Sequence, residues 1–161
     1  GDLRSELTAQ VDRLDLRSAV EFAGHQPTAR VSELLATATV VVQPSVVTPN
    51  GKMEGVPVAL MEALASEAAV VATDISGISE LVVDGVTGLL VPQRDVAALV
   101  DAVATLLDDA DLRARLGRAG RDHVARSYDL EQNAEALVRV LTTASSGADE
   151  GIEDLIEGAT S

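Results

Sequence analysis

The sequence predicts an α/β fold in which helices cover a parallel sheet, and two observations support this class. First, short continuous runs of Val, Ala, Leu and Ile alternate along the chain with segments whose apolar residues recur at helical spacing. Second, 47% of the 161 residues are hydrophobic, but Phe22 and Tyr128 are the only aromatic ones, so the core must be aliphatic, as in sheets buried on both faces. A chain of this length buries one core, and we expect a single domain.

The predicted elements alternate as this class requires. Apolar runs predict strands at residues 20–23, 39–43, 69–73 and 88–92. Helical spacing predicts helices at residues 3–14, 29–38, 57–66, 78–83, 96–107, 111–127 and 130–144, of which the last three follow one another directly. Residues 145–161 are rich in Ser, Gly, Asp and Glu, so we expect a domain at residues 1–144 and an acidic, disordered tail.

The composition excludes several classes of function. A formal net charge of −14 repels polyanions, so no nucleic-acid partner is expected. The sequence has no cysteine, no run long enough for a transmembrane segment and no signal-peptide pattern, and we expect a cytoplasmic location. It also lacks a P-loop, a G-x-G-x-x-G fingerprint and a metal-ligand cluster, so we expect neither a metal nor a cofactor.

The segment from Asn50 to Leu64 is the most informative for chemistry. A helix starting at Pro57 would be apolar on every face except at Glu62, and a buried carboxylate needs a hydrogen-bonding partner. Glu54 precedes this helix, in a loop that follows the carboxyl end of a strand, where open parallel sheets bind ligands. The free N–H groups near Gly55 to Val58 favour a phosphate. By spacing alone, an equal alternative is that Glu54 flanks the helix and Glu62 reaches solvent.

The residues around these glutamates resemble the retaining GT-B glycosyltransferases with the E-x7-E motif, known as group 1 or family 4, over most of the chain. The resemblance lies in the order of five segments: Val20-Glu21-Phe22-Ala23-Gly24-His25, Gln43-Pro44-Ser45, Glu54 to Ala63, Val71 to Val82, and Gly85 to Val91. It implies a Rossmann-like parallel sheet that forms an incomplete C-terminal half of a GT-B fold. The Asn50-Gly51-Lys52 insert resembles exopolysaccharide-building members of the family.

The resemblance also implies a role for each site residue. Glu54 is the catalytic candidate, which approaches the transferred sugar, and Glu62 accepts hydrogen bonds from the ribose hydroxyls. The donor-binding backbone is Gly55, Val56, Pro57 and Val58, whose amides face the sugar hydroxyls and the β-phosphate. His25 and Gln26 are expected near the base. The implied partners are a nucleotide diphosphate sugar as donor, without a metal, and an acceptor sugar or lipid-linked glycan.

Two departures from the family pattern limit these expectations. Glu67 and Ala69 stand where the family usually has Gly and Pro. The opening βαβ segment with its basic pair and the N-terminal acceptor domain do not precede Gly1, so we expect the isolated chain to lack turnover. The full-length protein would be cytoplasmic or peripheral at the membrane. Two alternatives stay open: a non-catalytic nucleotide-sugar-binding module or remnant, and an epimerase or phosphorylase of the same fold.

Overall fold

The computed structural model describes residues 3–51 and 55–157, with side chains as far as Thr143. The chain divides into two compact units, Gly1–Glu33 and Leu34–Ser161. Helix α2, Thr28–Thr37, spans the boundary between them. Its position agrees with the helix predicted at residues 29–38.

The first unit begins with helix α1, Arg4–Arg13. The guanidinium of Arg4 lies 5.6 Å from the ring centroid of Phe22, which gives a cation–π contact between the helix and the segment after it. The strand predicted at residues 20–23 is wrong, because this segment has no secondary structure. A strand exists only through ladder hydrogen bonds to a neighbour, and residues 20–23 form none within the described ranges.

The second unit contains a three-stranded parallel sheet in the order β1-β2-β3. Its strands are β1 (Val41–Gln43), β2 (Val70–Thr73) and β3 (Leu89–Val91), which fall inside three of the predicted apolar runs. Val71 of β2 is in register with Val42 of β1 and with Leu89 of β3. All of β2 is buried, as expected for the central strand of a sheet covered on both faces.

Successive residues from Ala69 along β2 point to opposite faces and contribute to two separate cores. Val70 and Ala72 pack into the first core with helices α3 (Val58–Ala65) and α4 (Ile78–Leu81). Ala69 and Val71 pack into the second core with helices α5 (Val96–Asp108) and α6 (Ala110–Ser127). The alternation follows from the two-residue period of a strand, and it places α3 and α5 on opposite faces of the sheet.

Helix α6 approaches the end of α3 closely because it carries two glycines at the contact. A Cβ on Gly117 would collide with the carbonyl oxygen of Glu67, just beyond α3. A Cβ on Gly120 would lie 2.6 Å from Cδ2 of Leu64. The missing side chains therefore let the backbone of α6 rest on the C-terminal end of α3.

The last helix, α7, runs from Leu130 to Glu157 and is longer than predicted. The helix continues past Ala144, its predicted end, through residues 145–157, and the disorder of the tail stays a prediction. The Ala and Glu of this segment are good helix formers, and its two glycines each cost only about 1 kcal/mol relative to Ala. Among the helices of residues 3–51 and 55–157, none is both long and apolar enough to cross a membrane.

Candidate functional site

The candidate site lies where the three parallel strands end. Residues 44–51 leave the carboxyl end of β1 as a loop, residues 55–57 lead into α3, and the segments after β2 and β3 begin at the same edge of the sheet. Open parallel sheets bind their ligands outside this edge. The residues that fix this loop therefore decide what the site can hold.

Side chains from the neighbouring strand ends fix the beginning of the loop. The buried hydroxyl of Thr73, at the end of β2, donates a 2.6 Å hydrogen bond to the carbonyl oxygen of Ser45. Beyond β3, Gln93 Oε1 accepts from the N–H of Val47 at 3.0 Å, and Arg94 Nη2 donates to the carbonyl of Val47 at 3.1 Å. Both backbone groups of Val47 are thus held by adjacent residues.

A glycine from the segment after β2 lies against the other end of the loop. Gly77 has φ +83°, and a Cβ at this position would lie 2.5 Å from the carbonyl carbon of Gly55 and 3.0 Å from the nitrogen of Val56. On its own side, Gly55 is exposed, and a Cβ there would meet no described atom within 4 Å. The Gly55–Val56 backbone therefore packs against Gly77 on one side, and the space beside Gly55 is open.

Helix α3 begins with unpaired donors. Pro57 is its N-cap, with extended backbone and no capping side chain, one residue before the helix rather than at its first position as predicted. Its carbonyl accepts from the N–H groups of Leu60 and Met61, both at 3.1 Å. Within the described part of the chain, the N–H groups of Val58 and Ala59 have no acceptor. Such free amides, together with the helix dipole, attract an anion.

Glu62 lies one turn further along this helix and is half-buried. Its carboxylate has no hydrogen-bond or ion-pair partner in residues 3–51 and 55–157. The expectation that α3 is buried all round is wrong: Leu60, Ala63 and Leu64 face the core, whereas Val58 is 62% exposed. The exposed side of α3 leaves Glu62 accessible to a ligand.

The other predicted site residues lie either outside the described residues or in the first unit. Glu54 and Lys52 lie outside the described residues, so the structure gives no distance between Glu54 and Glu62. His25 and Gln26 belong to the first unit. His25 is exposed after Gly24, whose φ is +68°, and the amide of Gln26 donates to the carbonyl of Ala23.

A separate cavity of about 180 Å³ lies at the strand ends, between β1, β3 and the start of α5. Its lining is mainly apolar and is formed by Pro44, Val46, Thr73, Val91, Pro92, Arg94, Asp95, Val96 and Leu99. Pockets for drug-sized ligands have volumes of about 300–1,000 Å³, so this cavity is too small for a nucleotide sugar. The open surface beside Gly55 and α3 is the better candidate for a donor site.

Sequence reasoning missed Gly77, Gln93 and Arg94. For Gly77 a signal was present, since a glycine immediately before a short helix indicates a special backbone conformation. No comparable signal marks Gln93 or Arg94, whose contacts with Val47 depend on two loops that are 46 and 47 residues apart in sequence. In residues 3–51 and 55–157, no cluster of His, Asp or Glu has the composition of a metal site.

Near the rear of the first core, Tyr128 connects the end of α6 to α4. Its hydroxyl donates to the carbonyl of Glu80 at 3.2 Å, and its ring meets His123 edge-on at a centroid distance of 5.9 Å. Burial, and secondly the negative charge of Glu80, raise the pKa of the Tyr128 phenol. His123 is half-buried, and its Nε2 has no partner within the described residues. Tyr128 thus joins the end of α6 to α4 and packs against the first core.

The architecture and the strand-end site define the class of protein. Solved structures of GT-B glycosyltransferases share this parallel α/β fold, and the chain covers about a third of them. Anabaena HepE, solved in complex with UDP, superposes with a TM-score of 0.79 at 25% identity, over 88% of this chain and 37% of that one.

Sequence comparison gives the family. The family described as "Glycosyl transferases group 1" matches residues 1–123, and the chain belongs to it. WcaL of Salmonella typhimurium, named as a candidate glycosyltransferase of colanic acid biosynthesis, is 36% identical over 145 residues, which are 89% of this chain and 36% of WcaL. The amylovoran biosynthesis glycosyltransferase AmsK of Erwinia amylovora is 34% identical over 148 residues, which are 87% of this chain and 35% of AmsK. The chain thus spans about a third of the length of these relatives.

Proposed function

We propose that this chain is the donor-binding part of a retaining glycosyltransferase, which transfers a sugar from a nucleotide diphosphate sugar to an acceptor hydroxyl. The observation that carries the proposal is the start of α3, where free amides adjoin an unpaired, half-buried carboxylate at the ligand edge of the sheet. The amides suit a diphosphate, and the carboxylate suits a pair of ribose hydroxyls.

Each group has a separate task in this proposal. The N–H groups of Gly55, Val56 and Val58 bind the β-phosphate and the sugar hydroxyls, and they stabilise the negative charge that develops on the departing diphosphate. Glu62 lies about 6 Å further along the helix axis than Val58, at about 1.5 Å per residue, which separates the phosphate from the ribose contact. Glu54 approaches the transferred sugar. No metal is required for these contacts, because N–H groups neutralise the phosphate.

In the transfer, the bond from the anomeric carbon to the diphosphate oxygen breaks, and a bond to the acceptor oxygen forms on the same face of the sugar. The acceptor proton leaves with the diphosphate or passes to solvent. The acceptor, a sugar or a lipid-linked glycan, is held by another part of the longer protein in this proposal. The naming of WcaL and AmsK after colanic acid and amylovoran biosynthesis supports a role in making an extracellular polysaccharide, and the UDP complex of HepE supports a nucleotide donor.

Calorimetry on the chain with UDP, GDP, ADP and their sugar conjugates tests the proposal. We expect one base to bind, and Glu62→Ala to weaken binding of its diphosphate and of its sugar conjugate alike, since both contain the ribose. Hydrogen bonds to a charged group are worth roughly 1.5–3 kcal/mol, which is about tenfold or more in Kd. Asp101→Ala, the same loss of charge on α5 at the opposite face of the sheet, is the control and should change nothing.

Two results would contradict the assignment. Unchanged affinity of Glu62→Ala for the free nucleotide shows that the ribose contact is wrong. An equal loss in Asp101→Ala shows that the effect is not specific to the carboxylate on α3. Binding without turnover in the full-length protein, with donor and a panel of acceptors, would instead indicate a binding module without catalysis.

A further inference from the structure

We propose that Gly77 is a positioning residue of the donor site, which holds the backbone of Gly55 and Val56 where their amides meet the diphosphate and the sugar. The inference rests on the function proposed above, because it assigns a role relative to the same donor. It adds a residue from a different strand end, which touches the loop and not the ligand.

The contact is between backbones. With no side chain on Gly77, its Cα packs directly on the Gly55–Val56 peptide, and a Cβ would come within 2.5 Å of the carbonyl carbon of Gly55. Real Cβ atoms do not approach a peptide so closely, so any other residue at position 77 must push the Gly55–Val56 peptide outward or shift itself.

Gly77 cannot easily shift, because its own segment is anchored in the core. Ile75 and Ile78 are buried, at 6% and 0% exposure. The N–H of Ile78 donates to Ile75 at 3.0 Å, and the N–H of Ile75 donates to Thr73, at the end of β2, at 3.0 Å. The displacement therefore falls on the Gly55–Val56 side, which is exposed or half-buried.

A shift of this peptide affects only part of the donor. Its amides are proposed to bind the diphosphate and the sugar, whereas Glu62 is placed by a helix whose Leu60, Ala63 and Leu64 are fixed in the core. An altered residue 77 should therefore weaken binding of the diphosphate and of the sugar conjugate, and spare that of the monophosphate. A general loss of stability would not distinguish these ligands.

The test compares Gly77→Ala with Gly85→Ala. Gly85 has φ +68°, so alanine there suffers a similar backbone penalty, but its Cβ meets no described atom within 4 Å. Affinities are measured by calorimetry for the monophosphate, the diphosphate and the sugar conjugate of whichever of uridine, guanosine and adenosine binds the unaltered chain most tightly. Amide NMR shifts of Gly55 and Val56 are recorded without ligand.

We expect Gly77→Ala to move the Gly55 and Val56 resonances and to weaken binding of the diphosphate and of the conjugate by roughly tenfold or more, the factor that 1.4 kcal/mol represents. Monophosphate affinity should change by less than about twofold. Gly85→Ala should leave all affinities unchanged. Equal loss for all three ligands, or no loss in Gly77→Ala, overturns the positioning role and leaves the donor function standing.

Failure of the proposed function gives a different result: the unaltered chain then binds no nucleotide, which overturns both ideas. If Gly77→Ala does not fold, hydrogen exchange of the unaltered chain decides. Binding of the diphosphate, but not of the monophosphate, should slow exchange across residues 74–80, since that segment supports the occupied peptide. Equal exchange with both ligands overturns the inference.

Discussion

Replacement of Gly117 by alanine should destabilise the chain, although the same change in an ordinary helix is favourable. Alanine gains about 1 kcal/mol over glycine in a helix interior. At Gly117 the new Cβ collides with the carbonyl oxygen of Glu67 and lies 3.0 Å from its carbonyl carbon. Overpacking costs about 1–3 kcal/mol, and the upper half of this range applies because the obstacle is backbone.

That backbone is fixed at the end of α3. The N–H of Glu67 donates to Leu64 at 3.0 Å, and the N–H of Ala68 donates to Ala63 at 3.1 Å. The net expectation for Gly117→Ala is therefore a loss of about 1–2 kcal/mol in the free energy of unfolding.

Gly120→Ala is the matched control, one turn along the same helix. Its nearest obstacle is Cδ2 of Leu64 at 2.6 Å, the end of a side chain that can rotate, with the carbonyl of Thr87 at 3.2 Å. Its loss should be smaller by about 1 kcal/mol. Urea unfolding followed by circular dichroism measures both variants, and the reasoning is refuted if Gly117→Ala is as stable as the unaltered chain or as Gly120→Ala.

Three further predictions concern stability and metal. Glu67 has φ +59°, a conformation that glycine adopts more readily than alanine. Glu67→Gly and Glu67→Ala both lose the exposed 3.1 Å ion pair with Arg121, so urea unfolding should find the glycine variant more stable by about 0.5–1 kcal/mol. Equal stabilities of the two variants would contradict backbone strain at this position. Because the pKa of Tyr128 is raised in the folded chain, its contribution to the free energy of unfolding is present below the unfolded pKa of about 10 and is lost as the pH rises through the folded pKa. The melting temperature should therefore fall above pH 10. An equal fall in Tyr128→Phe would refute this reasoning. Absorbance at 295 nm reports this titration directly, because the chain has one tyrosine. EDTA should leave nucleotide affinity unchanged if amides bind the phosphates, whereas a tenfold loss would reveal a metal.

Local pattern predicted most of the second unit. The strands β1, β2 and β3 were found from sequence because each lies in a short, mainly apolar run, of which only β2 is fully buried, and the βαβ order followed from their spacing. The apolar stretch before Glu62 likewise predicted α3, although its open face was not foreseen. Exposure of Val58 depends on what lies beside the helix, which its own sequence does not specify.

Features that depend on long-range contacts were not predictable. Residues 20–23 have the composition of a strand, but pairing requires a neighbour that composition does not reveal. The positive φ of Glu67 and of Arg94 is unexpected for these residue types. The sequence shows glycines at positions 77, 117 and 120, but it does not show that they contact Gly55, Glu67 and Leu64. Only the fold brings these residues together.

The anchors of the loop after β1 have a consequence for how such a protein diversifies. The beginning of the loop is held through backbone atoms of Ser45 and Val47, and its end is held through the Gly55–Val56 peptide. Neither anchor therefore depends on the side chains between them. Doubling the length of a flexible loop costs only about 0.6 kcal/mol in closure entropy. Residues 48–54 can thus be exchanged or lengthened while the amides at the start of α3 keep their place. A library confined to this interval therefore tests whether it controls the choice of sugar in the transfer proposed above.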